Sequence, residues 1–315
     1  MKQHHITLSI AVIAVVSIIL NISTWSKPSN EQKYPLLAKR LFVSSPNDLL
    51  INFTSLREDL RKYIDKSDHK IGVYFEYLPT GISININGND DYYRASLVKL
   101  PGVMRTYKLI EDGKLQEQEQ LEVKPYHLNN FGENKDLKVG MKKTVGELSA
   151  LALRDSNNTA YEIIYEKVNG DILKKEKGDE ETINNVYNYL DIPTPGPDQT
   201  LFISPKNYSS ALKSLYFSSY LNYADSSKLL DHLTHSSFND WLPKNLPKDL
   251  LIAHKFGIFD LNEPANYKVH SDCGIVYLPK RPYLLCVMGQ QANNDNLGAD
   301  IADISKIVYD FLTKN

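Results

Sequence analysis

The segment GMKKTVGELSALALRDSNNTAYEII, residues 140–164, contains the starts of two predicted helices and a short polar turn between them. Apolar residues recur at helical spacing over Thr144–Leu153 and Thr159–Val168, which predicts a helix in each range. The turn holds Ser156-Asn157-Asn158, an S-x-N pattern that also occurs at three other places in the chain. The segment therefore predicts a serine and an amide in the turn between two helices.

The elements on either side of this segment predict the fold. We predict a helix over 46–66, an antiparallel hairpin of strands 70–77 and 82–86, and a mainly helical stretch over 92–240. Three strands follow at 250–256, 269–278 and 283–288, and a last helix covers 297–312. The two terminal helices can cover one face of an antiparallel sheet that a helical insert interrupts. This α/β (α+β) arrangement predicts one two-lobed domain over residues 41–315. Its α/β lobe comprises residues 41–90 and 250–315, and its all-helical lobe residues 91–249.

Two further short patterns carry reactive side chains. Ser96-Leu97-Val98-Lys99 is an S-x-x-K at the start of a predicted helix, so its serine and lysine lie on one helical face about one turn apart. The oriented amides of a helix start favour negative charge that develops on the serine oxygen. Lys255-Phe256-Gly257 is a K-x-G on a late predicted strand. Each pattern recurs elsewhere in the chain, so none of them predicts a site by itself.

In combination, these patterns resemble those of class A beta-lactamases. The residues TVGEL and SNNTA match the segment around the S-D-N motif of that family, and the 60 residues from Ser96 to Ser156 fit its spacing. The order also matches, with S-x-x-K first, S-x-N second and K-x-G on a late strand. The resemblance covers about residues 46–313. It implies a two-lobed, penicillin-recognising serine hydrolase, a group that includes the D-Ala-D-Ala peptidases.

The resemblance implies catalytic roles for four side chains. Ser96 would be the nucleophile that forms an acyl-enzyme. Lys99 would help to take its proton, which requires a lysine pKa lowered by burial or by neighbouring positive charge. Ser156 would relay a proton to the leaving nitrogen. Lys255 would supply positive field near Ser156 and near the carboxylate of the substrate.

The same motifs would supply the residues that bind the substrate. Asn158 would hydrogen-bond the amide side chain of the substrate, and Gly257 would let its backbone approach the strand closely. Phe256 lies between Lys255 and Gly257, in the substrate-binding part of the K-x-G motif. The backbone N–H groups of Ser96 and Ile258 would form the oxyanion hole. The resemblance implies neither a metal nor a cofactor.

Three positions depart from the family pattern where the substrate would bind. Asn157 replaces the Asp of S-D-N, which is a mild change. Phe256 stands where beta-lactamases carry a Ser or Thr that binds the substrate carboxylate, and Cys273 stands where an Arg would help to hold it. Losing a charge-assisted hydrogen bond costs about 1.5–3 kcal/mol. We therefore expect weak carboxylate capture unless Lys268 or His270 compensates.

The position of the deacylating base also departs from the pattern. Residues 190–195, LDIPTP, resemble the start of the omega loop, with Thr194 in the place of its Glu. Glu162 and Glu166 lie on the predicted helix after SNNTA, a different segment, and Asp198 is interpreted as a solvated turn residue. General-base assistance is worth about 10²–10⁴-fold, so we expect slow hydrolysis of an acyl-Ser96.

Three functions fit these patterns. The leading hypothesis is a serine acyl hydrolase that opens a beta-lactam or D-Ala-D-Ala-like amide. A D,D-carboxypeptidase or other peptidoglycan amidohydrolase, acting on a peptidoglycan stem peptide, would hold a penicilloyl adduct for longer. A non-catalytic penicillin- or peptidoglycan-binding sensor would keep the fold and the cleft without turnover. The intact set of Ser96, Lys99, Ser156 and Lys255 argues against the sensor.

Composition excludes several other classes. The 36 Lys+Arg and 38 Asp+Glu residues give a net charge of −2, which argues against a nucleic-acid-binding surface. Two cysteines are too few for a Cys₄ zinc site. Pairing of Leu278 with Tyr283 in the last predicted hairpin would place Cys273 and Cys286 diagonally on one face. Either a disulfide or two buried thiols would fit that placement.

The N-terminus predicts a membrane segment. Residues 6–25 are an uncharged stretch of 20 residues, long enough as a helix to span about 30 Å. No small-x-small cleavage site stands out, so for residues 1–25 a signal anchor is preferred to a cleaved signal peptide. Residues 26–40 are interpreted as a polar linker. We expect the rest of the chain to lie outside the cytoplasmic membrane as a monomer, with the membrane as a partner through this helix only.

Overall fold

A computed structural model describes residues 33–36, 51–129, 137–172, 182–193, 201–261, 267–291 and 297–314 of the protein. Its strands and α-helices follow in the order α1 Thr54–Ile64, β1 Lys70–Tyr77, β2 Ile82–Ile86, β3 Tyr92–Tyr93, α2 Lys99–Glu111, β4 Gln120–Glu122, β5 Lys142–Thr144, α3 Val145–Arg154, α4 Asn158–Tyr165, α5 Thr182–Tyr189, β6 Phe202–Ile203, α6 Pro205–Tyr216, α7 Tyr223–Thr234, β7 Ile252–Leu261, β8 Tyr267–Val276, β9 Tyr283–Gln291 and α8 Leu297–Lys314.

A five-stranded antiparallel sheet joins the two ends of the chain. Its strand order is β2-β1-β9-β8-β7, so the early hairpin pairs directly with the last strand. The central strand β9 is buried along almost its whole length, as expected of a strand covered on both faces. Residues between β2 and β7 form mainly helices. The mixed fold, with an antiparallel sheet interrupted by a helical insert, is therefore confirmed.

The two terminal helices pack on one face of the sheet. Leu56 and Leu60 of α1, four residues apart on one helical stripe, are fully buried in a cluster with Phe75 of β1 and Ile304 of α8. The opposite face packs against the helical insert, where Leu100 of α2 and other side chains form a second cluster. The strand β7 lies at one edge of the sheet, beside this insert.

The register of the last hairpin differs from the prediction. Val276 pairs with Tyr283, so Cys273 lies directly opposite Cys286 rather than diagonal to it. The predicted pairing of Leu278 with Tyr283 was wrong because the first strand of the hairpin leaves the ladder two residues earlier. The Arg281 N–H donates to the carbonyl of Leu278 (2.9 Å) and closes a turn within a six-residue connection, residues 277–282.

Some element boundaries also differ from the prediction. Within the described residues, the first helix covers Thr54–Ile64, which is shorter than the predicted range 46–66. The strand β7 extends to Leu261, five residues beyond its predicted end. The short pairs β3–β6 and β4–β5 were not predicted. The predicted membrane segment, residues 6–25, and most of the predicted linker lie outside the described residues. Among the helices that the structure describes, none is both long and apolar enough to cross a membrane.

Candidate active site

Ser96 lies in a 3₁₀ turn, Ala95–Val98, that runs directly into α2. Leu97 in this turn is fully buried and holds it against the core. Ala95 has a φ of 45°, in the left-handed region that non-glycine residues seldom adopt. Such a conformation persists only where the surrounding structure enforces it. Packing around the turn therefore fixes the direction in which Ser96 points.

Lys99 lies one turn after Ser96, as the S-x-x-K spacing predicts. Its Nζ is 2.7 Å from Ser96 Oγ and 3.3 Å from Ser156 Oγ, and it donates to Asn158 Oδ1 at 2.6 Å. The residue is only 2% exposed. Burial lowers the pKa of Lys99 to about 7, although the negative charge of Glu162 acts in the opposite direction. A neutral amine is therefore available beside Ser96 near neutral pH.

The turn of the S-x-N motif is stabilised by its middle residue. The Asn157 side chain caps α4 by accepting from the Ala160 N–H at 2.8 Å. Asp and Asn are about equally good at such an N-cap position, which explains why the departure from S-D-N is mild. Ser156 has a φ of 53°, so its backbone is in the left-handed region. This turn directs Ser156 and Asn158 toward Lys99.

Lys255 reaches the same cluster from the edge strand β7. Its Nζ donates to Ser156 Oγ at 2.8 Å and to the carbonyl of Phe256 at 2.9 Å. The side chain is completely buried. Burial, and then the positive charge of Lys99, hold the pKa of Lys255 well below its ordinary value, while Asp272 opposes this shift. Ser156 Oγ thus lies between two buried amines.

These contacts form one continuous path. It runs from Ser96 Oγ to Lys99 Nζ, then to Ser156 Oγ and Lys255 Nζ, with steps of 2.7, 3.3 and 2.8 Å. When the two lysine amines are neutral, each amine and each hydroxyl on the path can both give and accept a proton. The arrangement can therefore carry a proton from an attacking serine to a leaving group near Ser156.

Gly257 packs closely against the serine turn. A Cβ at this position would lie 3.2 Å from Leu97 Cγ and 3.3 Å from the carbonyl oxygen of Arg94. The space beside Gly257 is therefore partly filled by the serine turn, and the close approach of a substrate backbone there stays a prediction. Ile258 follows on the edge strand and is 43% exposed. The close contact places β7 beside Ser96, while the oxyanion hole at Ser96 and Ile258 stays a prediction.

Phe256 belongs to an aromatic cluster that sequence reasoning missed. Its ring stacks on Phe238 with centroids 4.3 Å apart, and Trp241 meets it edge-on at 6.5 Å. The Lys255 Nζ lies over the Phe256 ring, 4.2 Å from its centroid. Phe238 and Trp241 come from the irregular segment between α7 and β7. No periodicity marks that segment, so only the aromatic residues in FNDW could have drawn attention to it.

Neighbouring side chains of β8 are engaged within the protein. Cys273 and Cys286 form a disulfide, which settles the choice left open by the sequence. His270 Nε2 lies 3.1 Å from Asp260 Oδ1, and the His270 ring stacks on Trp241. Burial lowers the pKa of His270. His270 is thus held by other residues and is not a ready cation for a substrate carboxylate.

The candidate carboxylates for deacylation occupy different environments. Glu166 accepts from Lys124 Nζ (2.7 Å) and Tyr126 Oη (2.8 Å), and it lies 2.6 Å from His127 Nε2. The hydrogen bond from Lys124 is the main reason why the pKa of Glu166 falls to about 2. Glu162 lies four residues after Asn158 on α4, and its charge acts on Lys99.

Three other features considered in the sequence are the candidate base residues Thr194 and Asp198, the possible carboxylate contact at Lys268, and a metal site. Thr194 and Asp198 lie outside the described residues. Lys268 lies opposite Asp260 in the register of β7 and β8. Within the range of the chain that the structure describes, no group of three His, Cys, Asp or Glu side chains could hold a metal ion.

A buried contact between a histidine and a carboxylate behind β7 was also missed. His254 Nδ1 lies 2.8 Å from Asp272 Oδ1, and Asp272 Oδ2 accepts from the Leu242 N–H at 3.1 Å. Both side chains are almost fully buried. The pair ties β7 and β8 to the segment that carries Trp241, so it supports the aromatic cluster from behind. His254 and Asp272 lie 18 residues apart in the sequence, and no motif connects them.

Comparisons with known proteins agree with this geometry. A family model described as the beta-lactamase enzyme family matches residues 55–312. A beta-lactamase of Bacillus licheniformis is 26% identical over 276 residues, covering 83% of this chain and 85% of the relative. The match therefore includes both lobes and all three motifs.

Solved structures are similar over the same range. The structure of PBP-A is 25% identical, has a TM-score of 0.68, and is matched over 83% of this chain and 97% of its own. A beta-lactamase from Chitinophaga pinensis has a TM-score of 0.70 at 21% identity, with 83% of this chain and 100% of that chain covered. At such identity the latter likeness shows the fold alone.

Proposed function

Because the chain belongs to the beta-lactamase enzyme family, and so to the serine hydrolases that act on amides, we propose that it opens a beta-lactam or D-Ala-D-Ala-like amide through an acyl-serine at Ser96. One observation carries the proposal: Lys99 Nζ lies 2.7 Å from Ser96 Oγ. Burial brings the pKa of Lys99 to about 7, so this amine can take the Ser96 proton at neutral pH.

The steps follow from the contacts of the two serines. Ser96 Oγ attacks the carbonyl carbon of the amide as its proton moves to Lys99 Nζ. The N–H groups of Ser96 and Ile258 stabilise the oxyanion that forms. The proton then passes through Ser156 Oγ to the leaving nitrogen, and the C–N bond breaks. Asn158, already fixed by Lys99 at 2.6 Å, donates its amide N–H to the acyl side chain.

Deacylation is proposed to be slow. Thr194 replaces the omega-loop Glu, and Glu166 is held by three partners. Without an ordered base, water attacks the acyl ester about 10²–10⁴-fold more slowly. A variant of PBP-A, a protein of similar fold, has been captured as an acyl-enzyme with penicillin G, and a long-lived adduct of this kind is expected here.

The test is intact-protein mass spectrometry after a pulse of a penicillin. The wild type should gain the mass of the penicillin, and Ser96→Ala should gain none. Ser210→Ala is a matched control, because Ser210 begins another S-x-x-K within α6 and lies away from Lys99. It should label like the wild type. An unlabelled wild type, or a labelled Ser96→Ala, would contradict the proposal.

Adduct lifetime distinguishes a second candidate, a D,D-carboxypeptidase that acts on peptidoglycan stem peptides. The Thr194 substitution favours it, because such an enzyme need not hydrolyse penicillin efficiently. An adduct that persists for minutes or longer, together with release of D-Ala from a stem peptide, would support the peptidase. Rapid return to the free mass would support a beta-lactamase instead.

We also propose that residues 6–25 anchor the enzyme in the cytoplasmic membrane, with the catalytic domain outside as a monomer. The uncharged run of 20 residues supports this location. Cell fractionation should place the full chain with the membranes and release a chain that lacks residues 1–25. Recovery of the full chain in the soluble fraction, with its N-terminus intact, would contradict the anchor.

A further inference from the structure

The Phe256 ring covers the amine that faces the catalytic cluster. Lys255 Nζ lies over this ring, 4.2 Å from its centroid. Phe238 stacks on the ring at 4.3 Å, with planes 27° apart, which leaves the opposite face for Lys255. The remaining contacts of Lys255 Nζ go to Ser156 Oγ and to the carbonyl of Phe256. Lys255 itself has no exposed surface.

A carboxylate entering beside Lys255 would find little to replace its water. Phe256 offers no hydroxyl, and Cys273, the cross-strand neighbour of Lys255, is buried in a disulfide. His270 is engaged with Asp260 and Trp241. Burial of a carboxylate without a charged or hydrogen-bonding partner is strongly unfavourable. Phe256, Cys273 and His270 therefore offer a free carboxylate no replacement for the hydroxyl and arginine of the family pattern.

The same place is well suited to an uncharged group. Ile258 follows Phe256 by two residues, so both side chains lie on the same side of the edge strand. Ile258 is 43% exposed, while Phe256 is partly exposed and braced by Phe238 and Trp241. These two residues present a partly exposed apolar surface at the edge strand β7, and the centroid of the Phe256 ring lies 4.2 Å from Lys255 Nζ.

We propose that Phe256 is a specificity-determining residue that selects acyl donors with an uncharged amide or ester beside the scissile bond. The preferred substrate would then be a bond inside a chain rather than one next to a free carboxylate. This inference rests on the proposed acyl-serine chemistry at Ser96. It favours an amide inside a peptide chain over the terminal D-Ala-D-Ala amide that a carboxypeptidase cleaves.

The test compares a penicillin with its methyl ester, which differ only in the carboxylate. Second-order rates of Ser96 acylation are measured by intact mass for both compounds. The wild type should react with the ester at least as fast as with the free acid. Phe256→Thr restores a hydroxyl and uncovers Lys255, so it should raise the acid-to-ester rate ratio by about tenfold or more.

Phe259→Thr is the matched control, because Phe259 lies on the same strand but packs against Tyr93. It should leave the acid-to-ester ratio unchanged. A wild-type preference for the free acid of about tenfold or more would overturn the proposal, as would a Phe256→Thr ratio equal to that of the wild type. If Phe256→Thr does not fold, the acid-to-ester rate ratio of the wild type is sufficient to test the proposal. Failure of both compounds to acylate the wild type would refute the proposed function, and this inference with it.

Discussion

The protonation of Lys99 should control how the rate of acylation depends on pH. Burial brings the pKa of Lys99 from 10.5 to about 7. At pH 7 about half of the molecules then carry a neutral amine beside Ser96, against about one in 3,000 for a lysine with an ordinary pKa. The burial of this one side chain therefore increases the reactive fraction by about 10³ at neutral pH.

The assay is the second-order rate of Ser96 acylation by a fluorescent penicillin between pH 5 and pH 9. The rate should rise with pH because the neutral, proton-accepting form of Lys99 accumulates as pH increases. It should increase by about tenfold from pH 6 to pH 8, with a midpoint near 7. A rate that does not change over this range, or a midpoint near that of a free lysine, would refute the assignment of Lys99 as the base.

Removing the charge of Glu162 provides a second test of the pH dependence of acylation. The negative charge of Glu162 raises the pKa of Lys99, so Glu162→Gln should move the midpoint to lower pH. Glu166→Gln is the matched control, since it removes the same charge four residues further on, where Lys124, Tyr126 and His127 surround it. It should leave the midpoint in place. An upward shift in Glu162→Gln, or equal shifts in both variants, would show that Glu162 does not act on Lys99.

Substitutions at three places test the packing around the site, namely the cap of α4, Gly257 and the disulfide. Asn157→Asp should keep the N-cap of α4 and change stability little, whereas Asn157→Ala should lower the free energy of unfolding by about 0.5–2 kcal/mol in urea titrations. Equal stability of the two variants would show that the cap is unimportant. Gly257→Ala should slow acylation by about tenfold or more, because its Cβ would push on Leu97 and shift Ser96. An unchanged rate would mean that the serine turn can move without loss. Removing the disulfide with Cys273→Ala and Cys286→Ala should lower the free energy of unfolding by about 2–4 kcal/mol. No loss of stability would indicate that the two thiols are reduced in the folded protein.

Local patterns predicted the features of the site that lie close together in the chain. Ser96 and Lys99 share one helical turn, and the cap at Asn157 follows from a polar residue before an apolar helix. The strand register was harder to predict, since the polar and apolar pattern of 273–288 fits more than one connection length. A difference of two residues keeps every side chain on the same face, so the sequence pattern could not distinguish opposite from diagonal cysteines.

Residue type and spacing by themselves predicted the fold class and the proximity of Ser96 to Lys99, because a rigid helix converts a short spacing into a fixed geometry. Only the tertiary structure decided the lowered pKa of Lys99 and of Lys255 and the contact of the Phe256 ring with Lys255. These properties depend on which side chains exclude water from an amine. The aromatic packing of Phe256 involves Phe238 and Trp241, which are far away in the sequence, so no local pattern could predict it.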